Sequence, residues 1–223
     1  IPVNLDHYVV LKMMLKKFFE FFKEWLVPIG SALIIVILIR TFLFTFVHVS
    51  GPSMTPNLQN NELVILNKIA KYQRGDVVVF DARQEDPRIR PGEKDYVKRI
   101  IGVPGDTISY KDSNLYVNGK QVNQDYIGIN ERTEGTEMSF GKNWSLASLS
   151  ASDLWQKKDR NKVKVPAGEY FVMGDHRSVS NDGRYFGFVD AKHIEGKVIV
   201  PFWNSNQTAK ANVNQQNKHF FAK

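Results

Sequence analysis

Residues 96–106 read YVKRIIGVPGD and carry the pattern on which the fold prediction rests. A β-branched, alternating run is followed by the turn sequence Pro104-Gly105-Asp106, which together predict a strand and the turn that ends it. In a strand with a period of two, Lys98 shares a face with Tyr96 and Ile100. The lysine therefore points either into apolar surroundings or, as edge lysines more often do, into solvent.

Comparable short runs lie on both sides of this segment, separated by turn signals such as Arg74-Gly75-Asp76. The pair Asn118-Gly119 lies between two such runs and predicts a type I′ hairpin. Many short strands with few helical periods predict a mainly β domain, built from antiparallel sheets or a barrel. The other predicted strands are residues 63–66, 76–80, 107–110, 115–117, 162–165, 170–173 and 197–202.

Length and composition limit the function classes. The chain has 223 residues, a formal net charge of +7 and 43% hydrophobic residues, which suit one domain with appendages and exclude a wholly disordered chain. It has no cysteine, which excludes a disulfide scaffold, a cysteine-ligated zinc site and a thiol nucleophile. Its basic residues are spread among acidic ones, so attraction to anionic lipid headgroups explains the charge more simply than nucleic-acid binding. We predict no metal and no cofactor.

An apolar stretch near the N-terminus predicts a membrane-spanning helix over residues 26–47. It carries one charge and, at 1.5 Å per residue, covers about 33 Å, which is enough to cross a bilayer. A buried core helix or a cleaved signal explains it less well, because its centre is apolar on every face and no Ala-x-Ala-like site follows. Four lysines precede the span and no Lys or Arg occurs from Val47 to Asn67, so the positive-inside rule places the N-terminus in the cytoplasm.

The remaining segments complete the predicted organisation. Residues 1–25 read as a cytoplasmic or interfacial segment, and we assign no function to residues 1–12, which we expect to lie upstream of the natural start. Residues 48–203 form the predicted extracytoplasmic domain. Within it, residues 126–161 read as an inserted excursion of uncertain order, with Trp144 and Trp155 as its anchors. Residues 204–223 are rich in Asn and Gln and predict a mobile polar tail.

Three segments carry candidate chemistry, and each also has an ordinary structural explanation. Residues 49–56, VSGPSMTP, bend the backbone so that Ser53 could be presented in the open, although a plain turn after the anchor would use the same residues. A buried Lys98 would hold its proton less tightly, and its free amine could then accept the proton of a serine hydroxyl. The polar loop 174–187 is either an ordinary surface loop or a functional one. In the functional interpretation, the Ser180 hydroxyl could orient that lysine, and Asp182 could pair with Arg184.

With two further motifs, these segments resemble the bacterial type I signal peptidases, the membrane-anchored Ser/Lys proteases that remove signal peptides from exported proteins. The resemblance covers roughly residues 14–203 and implies a signal peptidase catalytic domain of mainly β structure with one N-terminal transmembrane helix. The five motifs, in order, are 39–44 (IRTFLF), 53–58 (SMTPNL), 74–80 (RGDVVVF), 98–106 (KRIIGVPGD) and 174–187 (GDHRSVSNDGRYFG).

The resemblance also implies roles for individual residues. The family's serine nucleophile falls on Ser53 and its lysine general base on Lys98. The backbone N–H of Ser53 would bind the oxyanion, and Gly51 stands where some members carry a serine, which leaves the second donor open. The family's supporting serine, aspartate and arginine fall on Ser180, Asp182 and Arg184.

The implied substrates are the signal peptides of preproteins, bound in an extended form with small side chains at the first and third positions before the cut. Shallow apolar pockets would reject bulky side chains and accept alanine. Membrane phospholipid and the secretion translocon are further expected neighbours, at the outer face of the cytoplasmic membrane. The predicted substrate-binding residues, chosen as neighbours of the motifs, are Val49, Gly51, Met54 and Val97.

Alternatives remain at this stage. A histidine triad using His48 or His176 is disfavoured because only proximity in sequence ties either residue to Ser53. Ser139-Phe140-Gly141-Lys142 matches the Ser-x-x-Lys motif of penicillin-binding proteins but lacks a Lys-Thr-Gly partner. Other functions on the same fold are a membrane-tethered pilus-assembly accessory and a narrowly specific processing peptidase.

Overall fold

A computed structural model describes residues 5–89 and 91–222. The chain divides into two compact units, Ile1–Phe44 and Thr45–Lys223. The first four residues of the segment to which we assigned no function lie outside the described residues. The mainly β fold with one N-terminal apolar helix is confirmed.

The N-terminal unit is helical. Helices α1 (Leu5–Phe21) and α2 (Val27–Phe42) are joined by a π-helical turn, Phe22–Leu26. In the described part of the chain, one helical stretch is apolar and long enough to cross a membrane, Tyr8–Phe42, and none of its most apolar window is buried. Its 35 residues extend about 52 Å at 1.5 Å per residue, so the helix is longer than the predicted span on its N-terminal side.

The C-terminal end of the predicted span differs from the structure. The helix ends at Phe42, and residues Phe44–His48 form strand β1 instead of a last helical turn. The sequence FTFVH alternates β-branched and aromatic residues, and its side chains alternate between exposed and half-buried, as a period-2 strand requires. The predicted boundary at residue 47 was too late because hydrophobicity alone cannot separate this strand from the helix before it.

The second unit contains two antiparallel sheets. The larger sheet has the strand order β1-β2-β11-β3-β4-β9-β10, and the smaller has the order β7-β6-β5-β8. The further strands are β2 (Leu63–Asn67), β3 (Val77–Asp81), β4 (Asp95–Gly102), β5 (Ile108–Lys111), β6 (Asn114–Val117), β7 (Lys120–Gln121), β8 (Asn143–Ser145), β9 (Glu169–Met173), β10 (Val189–Asp190) and β11 (Ile194–Ile199). The short helices are α3 (Ile129–Arg132), α4 (Glu134–Glu137), α5 (Leu146–Ser150) and α6 (Gly183–Phe186), followed by the longer α7 (Gln207–Asn214).

Most predicted strands are present, and the differences have local causes. The hairpin at Asn118-Gly119 forms as predicted, with both residues at positive φ, as a type I′ turn requires. Strand β11 ends at Ile199, before Pro201, because proline cannot donate to a ladder. The strand predicted over residues 162–165 is wrong: Val165 forms backbone hydrogen bonds with Gly105 and Asp106, whereas the Lys162 carbonyl accepts from the Ser150 hydroxyl instead of a strand.

The predicted excursion is ordered. Strand β8 adds to the small sheet, where Trp144 pairs with Tyr110 and the two rings stack at 5.5 Å. Trp155 is 1% exposed and packs between aromatic rings of the large sheet and its loops. Both tryptophans are therefore the anchors that the sequence indicated. The excursion joins the hydrophobic cluster that connects the two sheets.

The prediction of a mobile polar tail needs correction. Residues 207–214 form α7, Val213 is buried in the same hydrophobic cluster as Met54, and Phe221 pairs with Val122. The Asn-rich composition satisfies backbone groups: the Asn214 carboxamide accepts from the N–H of Val200 and donates to its carbonyl. Polar side chains that bond to a folded backbone order a segment that composition alone classes as disordered.

Strand β4 is the longest strand and lies between β3 and β9. Lys98 faces Val78 across the ladder, and Arg99 faces Met173. Since both sides of the strand are paired and its second half is buried, a charged side chain there is held inside the protein. The fold therefore buries Lys98, for which the sequence alone allowed either a buried or a solvent-facing side chain.

Candidate active site

Ser53 lies in a tight turn that follows strand β1. Gly51 adopts φ +84°, a left-handed conformation that favours glycine, and its N–H donates to Asn60 Oδ1 at 2.9 Å. The N–H of Thr55 then donates to the Pro52 carbonyl. These bonds fix the backbone around Ser53, whose side chain remains half-buried.

The side chain of Lys98 reaches this serine. Its Nζ donates to Ser53 Oγ at 2.9 Å and to the Val97 carbonyl at 3.1 Å. Lys98 is only 3% exposed, and its amine lies 4.8 Å from the centre of the Tyr96 ring. The two residues that the sequence analysis chose as nucleophile and base are therefore in direct contact.

Burial changes the acidity of this lysine. Removal from water lowers the pKa of Lys98 to about 8, and the opposing charges of Asp182, Glu93 and Asp175 offset only part of that effect. An ordinary lysine would be almost fully protonated at neutral pH. Here about a tenth of the molecules at pH 7 carry a free lone pair that can accept the Ser53 proton, and this fraction rises with pH.

The loop after β9 holds a buried ion pair beside the lysine. Arg184 donates to Asp182 through Nε at 2.9 Å and Nη2 at 3.0 Å, and both side chains are almost fully buried. Burial raises the pKa of Asp182, but the charge and hydrogen bonds of Arg184 and the N–H of Gly174 outweigh it, so the net pKa is lowered. The carboxylate also caps α6. The predicted pairing of these two residues is thus present.

Ser180 is placed differently from the sequence prediction. Its Oγ is buried and has no hydrogen-bond partner in the described part of the chain, so the expected bond to the Lys98 amine is not formed there. The hydroxyl instead faces Gly174, where a Cβ added to the glycine would lie 2.2 Å from Ser180 Oγ and 2.6 Å from the Ser53 carbonyl oxygen. Gly174 is therefore required by the close approach of the nucleophile turn and the loop.

Backbone donors are available for an oxyanion. Among residues 5–89 and 91–222, the N–H of Ser53 has no acceptor, which leaves it free for a substrate oxygen. The N–H of Gly51 is already bonded to Asn60. The Ser53 N–H is therefore available as an oxyanion donor, and its role there stays a prediction.

The predicted substrate-binding residues lie around the same turn. Val49 and Met54 are buried in one hydrophobic cluster, and Val97 packs against it while remaining partly exposed. Val97 can therefore contact a bound peptide directly, whereas Met54, with no exposed surface, can only support the floor of a pocket. Their roles in substrate binding stay predictions.

The structure also shows a buried polar cluster that the sequence analysis missed. Arg99 pairs with Asp175 through two hydrogen bonds, Nε to Oδ1 at 2.8 Å and Nη2 to Oδ2 at 2.7 Å. Asn57 donates to the same carboxylate at 2.8 Å, and the guanidinium lies 4.1 Å from the Tyr126 ring centre. The sequence signal that could have revealed this cluster is the position of its members within the motifs: Arg99 directly follows Lys98, and Asp175 directly follows Gly174.

Histidine does not form a triad with the serine. In the described chain, the Nδ1 of His176 interacts with Thr55 Oγ1 at 2.8 Å and with the Pro52 carbonyl at 3.3 Å, while its backbone N–H donates to the Ser53 carbonyl. Asp175, the acid that would have to orient it, is paired with Arg99. His176 thus contacts the nucleophile turn without reaching the hydroxyl.

The described residues contain no group of three or more His, Cys, Asp or Glu side chains that could hold a metal ion. The chemistry that the site can perform with its own residues is a proton transfer from Ser53 Oγ to Lys98 Nζ. The serine oxygen is then a nucleophile, and the adjacent free N–H can stabilise a developing negative charge.

The chain is similar to several known proteins. The family "Signal peptidase, peptidase S26" matches residues 22–203. Signal peptidase IB of Staphylococcus aureus strain COL is 36% identical over 198 residues, 87% of this chain and 95% of the relative. Signal peptidase I P of Bacillus subtilis subsp. natto is 40% identical over 185 residues, 81% of this chain and 88% of the relative. A crystal structure of a signal peptidase I from Enterococcus faecalis V583 matches with a TM-score of 0.45 and 33% identity, covering 58% of this chain and 97% of that chain.

Proposed function

This chain belongs to the signal peptidase family, peptidase S26, and on that premise we propose that it cleaves signal peptides from exported preproteins through a Ser53–Lys98 dyad. The observation that carries the proposal is the 2.9 Å hydrogen bond between a buried lysine and the serine. The enzyme is a serine endopeptidase. The assignment of its nucleophile and base is the proposal.

The reaction follows from the geometry. The neutral amine of Lys98 takes the proton of Ser53 as Oγ attacks the carbonyl carbon before the scissile bond. The N–H of Ser53 stabilises the oxygen of the tetrahedral intermediate. The Lys98 ammonium then gives its proton to the leaving amine, which releases the mature protein and leaves the signal peptide as an ester on Ser53.

Water completes the cycle. Lys98, neutral again, accepts a proton from a water molecule that attacks the ester carbonyl. Collapse of the second intermediate returns the proton to Ser53 Oγ and releases the signal peptide with a new carboxylate. No net proton is retained by the dyad, so the same two residues serve both half-reactions.

The experiment is cleavage of a preprotein with an Ala-x-Ala site by the detergent-solubilised full chain with phospholipid present. Wild type should cut after the last alanine, whereas Ser53→Ala and Lys98→Ala should each lower the rate at least a thousandfold, as loss of a nucleophile or base does in serine proteases. Ser205→Ala and Lys142→Ala, at exposed positions, are the matched controls and should retain activity. Activity in Lys98→Ala would refute the dyad, and folded wild type without activity would favour the pilus-assembly accessory or a narrowly specific processing peptidase.

The apolar helix is a candidate membrane anchor. We propose that its N-terminal side is cytoplasmic and that the β unit lies outside, where preproteins leave the secretion translocon. The distribution of lysines before the span supports this orientation. Protease added to right-side-out membrane vesicles should degrade the β unit, and protection of that unit would reverse the orientation.

Contact of the β unit with phospholipid is supported by an aromatic patch. Phe46, Phe202 and Trp203 are 58%, 82% and 53% exposed, and the Trp203 ring lies 6.3 Å from Phe46 and 4.9 Å from Phe202. Exposed aromatic rings of this kind occur where a protein meets the membrane interface. Phe202→Ser with Trp203→Ser should reduce stimulation by lipid vesicles, and unchanged stimulation would remove this surface from the proposal.

A further inference from the structure

Four residues near the dyad form a closed ring of hydrogen bonds through their side chains and the backbone carbonyl of Asn212. Asn212 Nδ2 donates to Asn57 Oδ1 at 2.8 Å, and Asn57 Nδ2 donates to Asp175 Oδ2 at 2.8 Å. Asp175 accepts two bonds from Arg99. Arg99 Nη1 closes the ring by donating to the backbone carbonyl of Asn212 at 2.9 Å.

Three members of the ring each adjoin a segment of the active site. Asn57 belongs to the turn that presents Ser53, and its N–H donates to the Met54 carbonyl. Arg99 follows Lys98 on β4. Asp175 follows Gly174, whose N–H binds the Asp182 carboxylate. The ring therefore links the nucleophile turn, the strand of the base and the loop of the ion pair.

Three of the four ring members are shielded from water and Asn212 is half-buried, so the bonds of the three buried members are costly to leave unmade. Asn57, Arg99 and Asp175 are 2%, 0% and 0% exposed. Arg99 Nη1 also donates a hydrogen bond to the Gly75 carbonyl at 2.8 Å. A buried donor or acceptor without a partner is penalised far more than an exposed one, so the ring admits little variation in the relative positions of its members.

Asn212 comes from the C-terminal segment, which lies beyond the residues that the family matches. Helix α7 is capped by the Asn206 side chain, which accepts from the N–H of Ala209. Beyond the helix, the backbone at Asn217 passes Gly75 so closely that a Cβ on Gly75 would lie 2.9 Å from the Asn217 nitrogen. These contacts hold Asn212 in place from both directions along the chain.

We infer that Asn212 is a positioning residue of the peptidase: through Asn57 it holds the nucleophile turn in register with the strand that carries the base. The inference rests on the proposed Ser53–Lys98 dyad. Asn212 does not touch the reacting atoms. It acts because the Asn57 carboxamide has its donors committed to Asp175 and the Tyr126 carbonyl, so its oxygen needs the donor that Asn212 supplies.

The test compares Asn212→Ala with Asn214→Ala in the full chain. The alanine at 212 keeps the backbone carbonyl that Arg99 uses and removes only the donor to Asn57. Asn214, on the same helix, makes two hydrogen bonds to the backbone of Val200 and none to the ring. Its replacement therefore loses at least as much bonding without touching the nucleophile turn.

For Asn212→Ala we expect kcat to fall about tenfold with KM within twofold, because small displacements of reacting groups reduce the rate of the bound complex. Asn214→Ala should keep kcat within twofold of wild type, although its melting temperature should fall at least as far. Unchanged kcat in Asn212→Ala, or equal losses of kcat in both variants, would overturn the inference and leave a purely structural role.

A double-mutant cycle tests the route through Asn57. Asn57→Ala removes the acceptor that Asn212 serves, so adding Asn212→Ala to it should change kcat no further. If the double variant instead loses kcat by the product of the two single-variant factors, Asn212 acts by another path. The variant Asn212→Ser, which retains a short donor, should recover part of kcat.

A readout without preprotein separates this inference from the proposed function. The rate at which a fluorophosphonate reagent labels Ser53, followed by mass spectrometry, depends on the alignment of Ser53 with Lys98 and not on signal-peptide recognition. If wild type labels but does not cleave, the substrate assignment fails, and slower labelling of Asn212→Ala than of Asn214→Ala still supports positioning. If wild type neither labels nor cleaves, both the dyad and the inference are wrong.

Discussion

Replacement of Lys98 by methionine should make the protein more stable while abolishing its activity. Lys98 is fully enclosed, and its ordinary pKa of 10.5 falls to about 8 mainly because burial penalises the charged amine. At pH 7 the folded protein must therefore hold a proton that it binds less tightly than the unfolded chain does. Methionine fills a similar volume without a charge, so it removes this penalty.

The magnitude follows from the two pKa values. A change of one pKa unit corresponds to about 1.4 kcal/mol, so burial of the protonated amine costs about 3 kcal/mol at pH 7. Loss of the two bonds to Ser53 and the Val97 carbonyl takes back about 2 kcal/mol. The net gain of about 1 kcal/mol should raise the melting temperature by roughly 3 °C for a domain of this size.

The pH dependence gives the sharper check. A lysine with a lowered folded-state pKa is destabilising below pH 8, where both states are protonated, and the unfolded chain binds more protons between pH 8 and 10.5. Wild-type stability from this group should therefore rise across that window, and the advantage of Lys98→Met should shrink and then reverse, because the variant still lacks the two hydrogen bonds. Melting curves in detergent at about pH 7, 8, 9 and 10 measure this difference in stability between Lys98→Met and wild type, with the exposed Lys142→Met as control. A variant less stable than wild type at pH 7, or an advantage independent of pH, would refute the reasoning.

Three further outcomes follow from the site. The rate constant kcat/KM should increase about tenfold per pH unit below pH 7 and level off above a midpoint near 8 as Lys98 loses its proton; a flat profile from acid to alkaline pH would contradict it. Gly174→Ala should abolish cleavage, because its Cβ would lie 2.2 Å from Ser180 Oγ, and a variant with wild-type kcat would show that the loop can move aside. Arg184→Met should leave the Asp182 carboxylate buried without its partner and cost about 3–5 kcal/mol, seen as a large fall in melting temperature; an unchanged value would mean that water replaces the arginine.

Local patterns in the sequence, combined into one family resemblance, were enough to propose the dyad. Lys98 stood out in a period-2 run with apolar neighbours, and Ser53 in a turn rich in glycine and proline. Both signals lie within a few residues of the side chain concerned. What the sequence left open was whether Lys98 faces solvent, and that depends on β3 and β9 pairing on either side of β4.

The failures concern contacts between distant parts of the chain. The C-terminal segment was predicted to be mobile because Asn and Gln are common in disordered tails, yet Asn212 and Asn214 find partners at Asn57 and Val200. The Ser180 hydroxyl was assigned to Lys98 from its place in the polar loop 174–187 and the family resemblance, but its direction is set by the fold at Gly174. No local pattern distinguishes an asparagine that meets a distant acceptor from one that meets water.

The bond between Asn212 and Asn57 also has a consequence for the order in which the molecule assembles. Asn212 and Asn57 are 155 positions apart along the chain, and contacts of such long separation form slowly because a large loop must close first. Ribosomes synthesise the serine, the lysine and the ion-pair loop well before the asparagine that joins them. A newly made molecule therefore passes through a stage in which every reacting group is present and this support is still missing, so full activity is acquired only after Asn212 has been synthesised and has folded against Asn57.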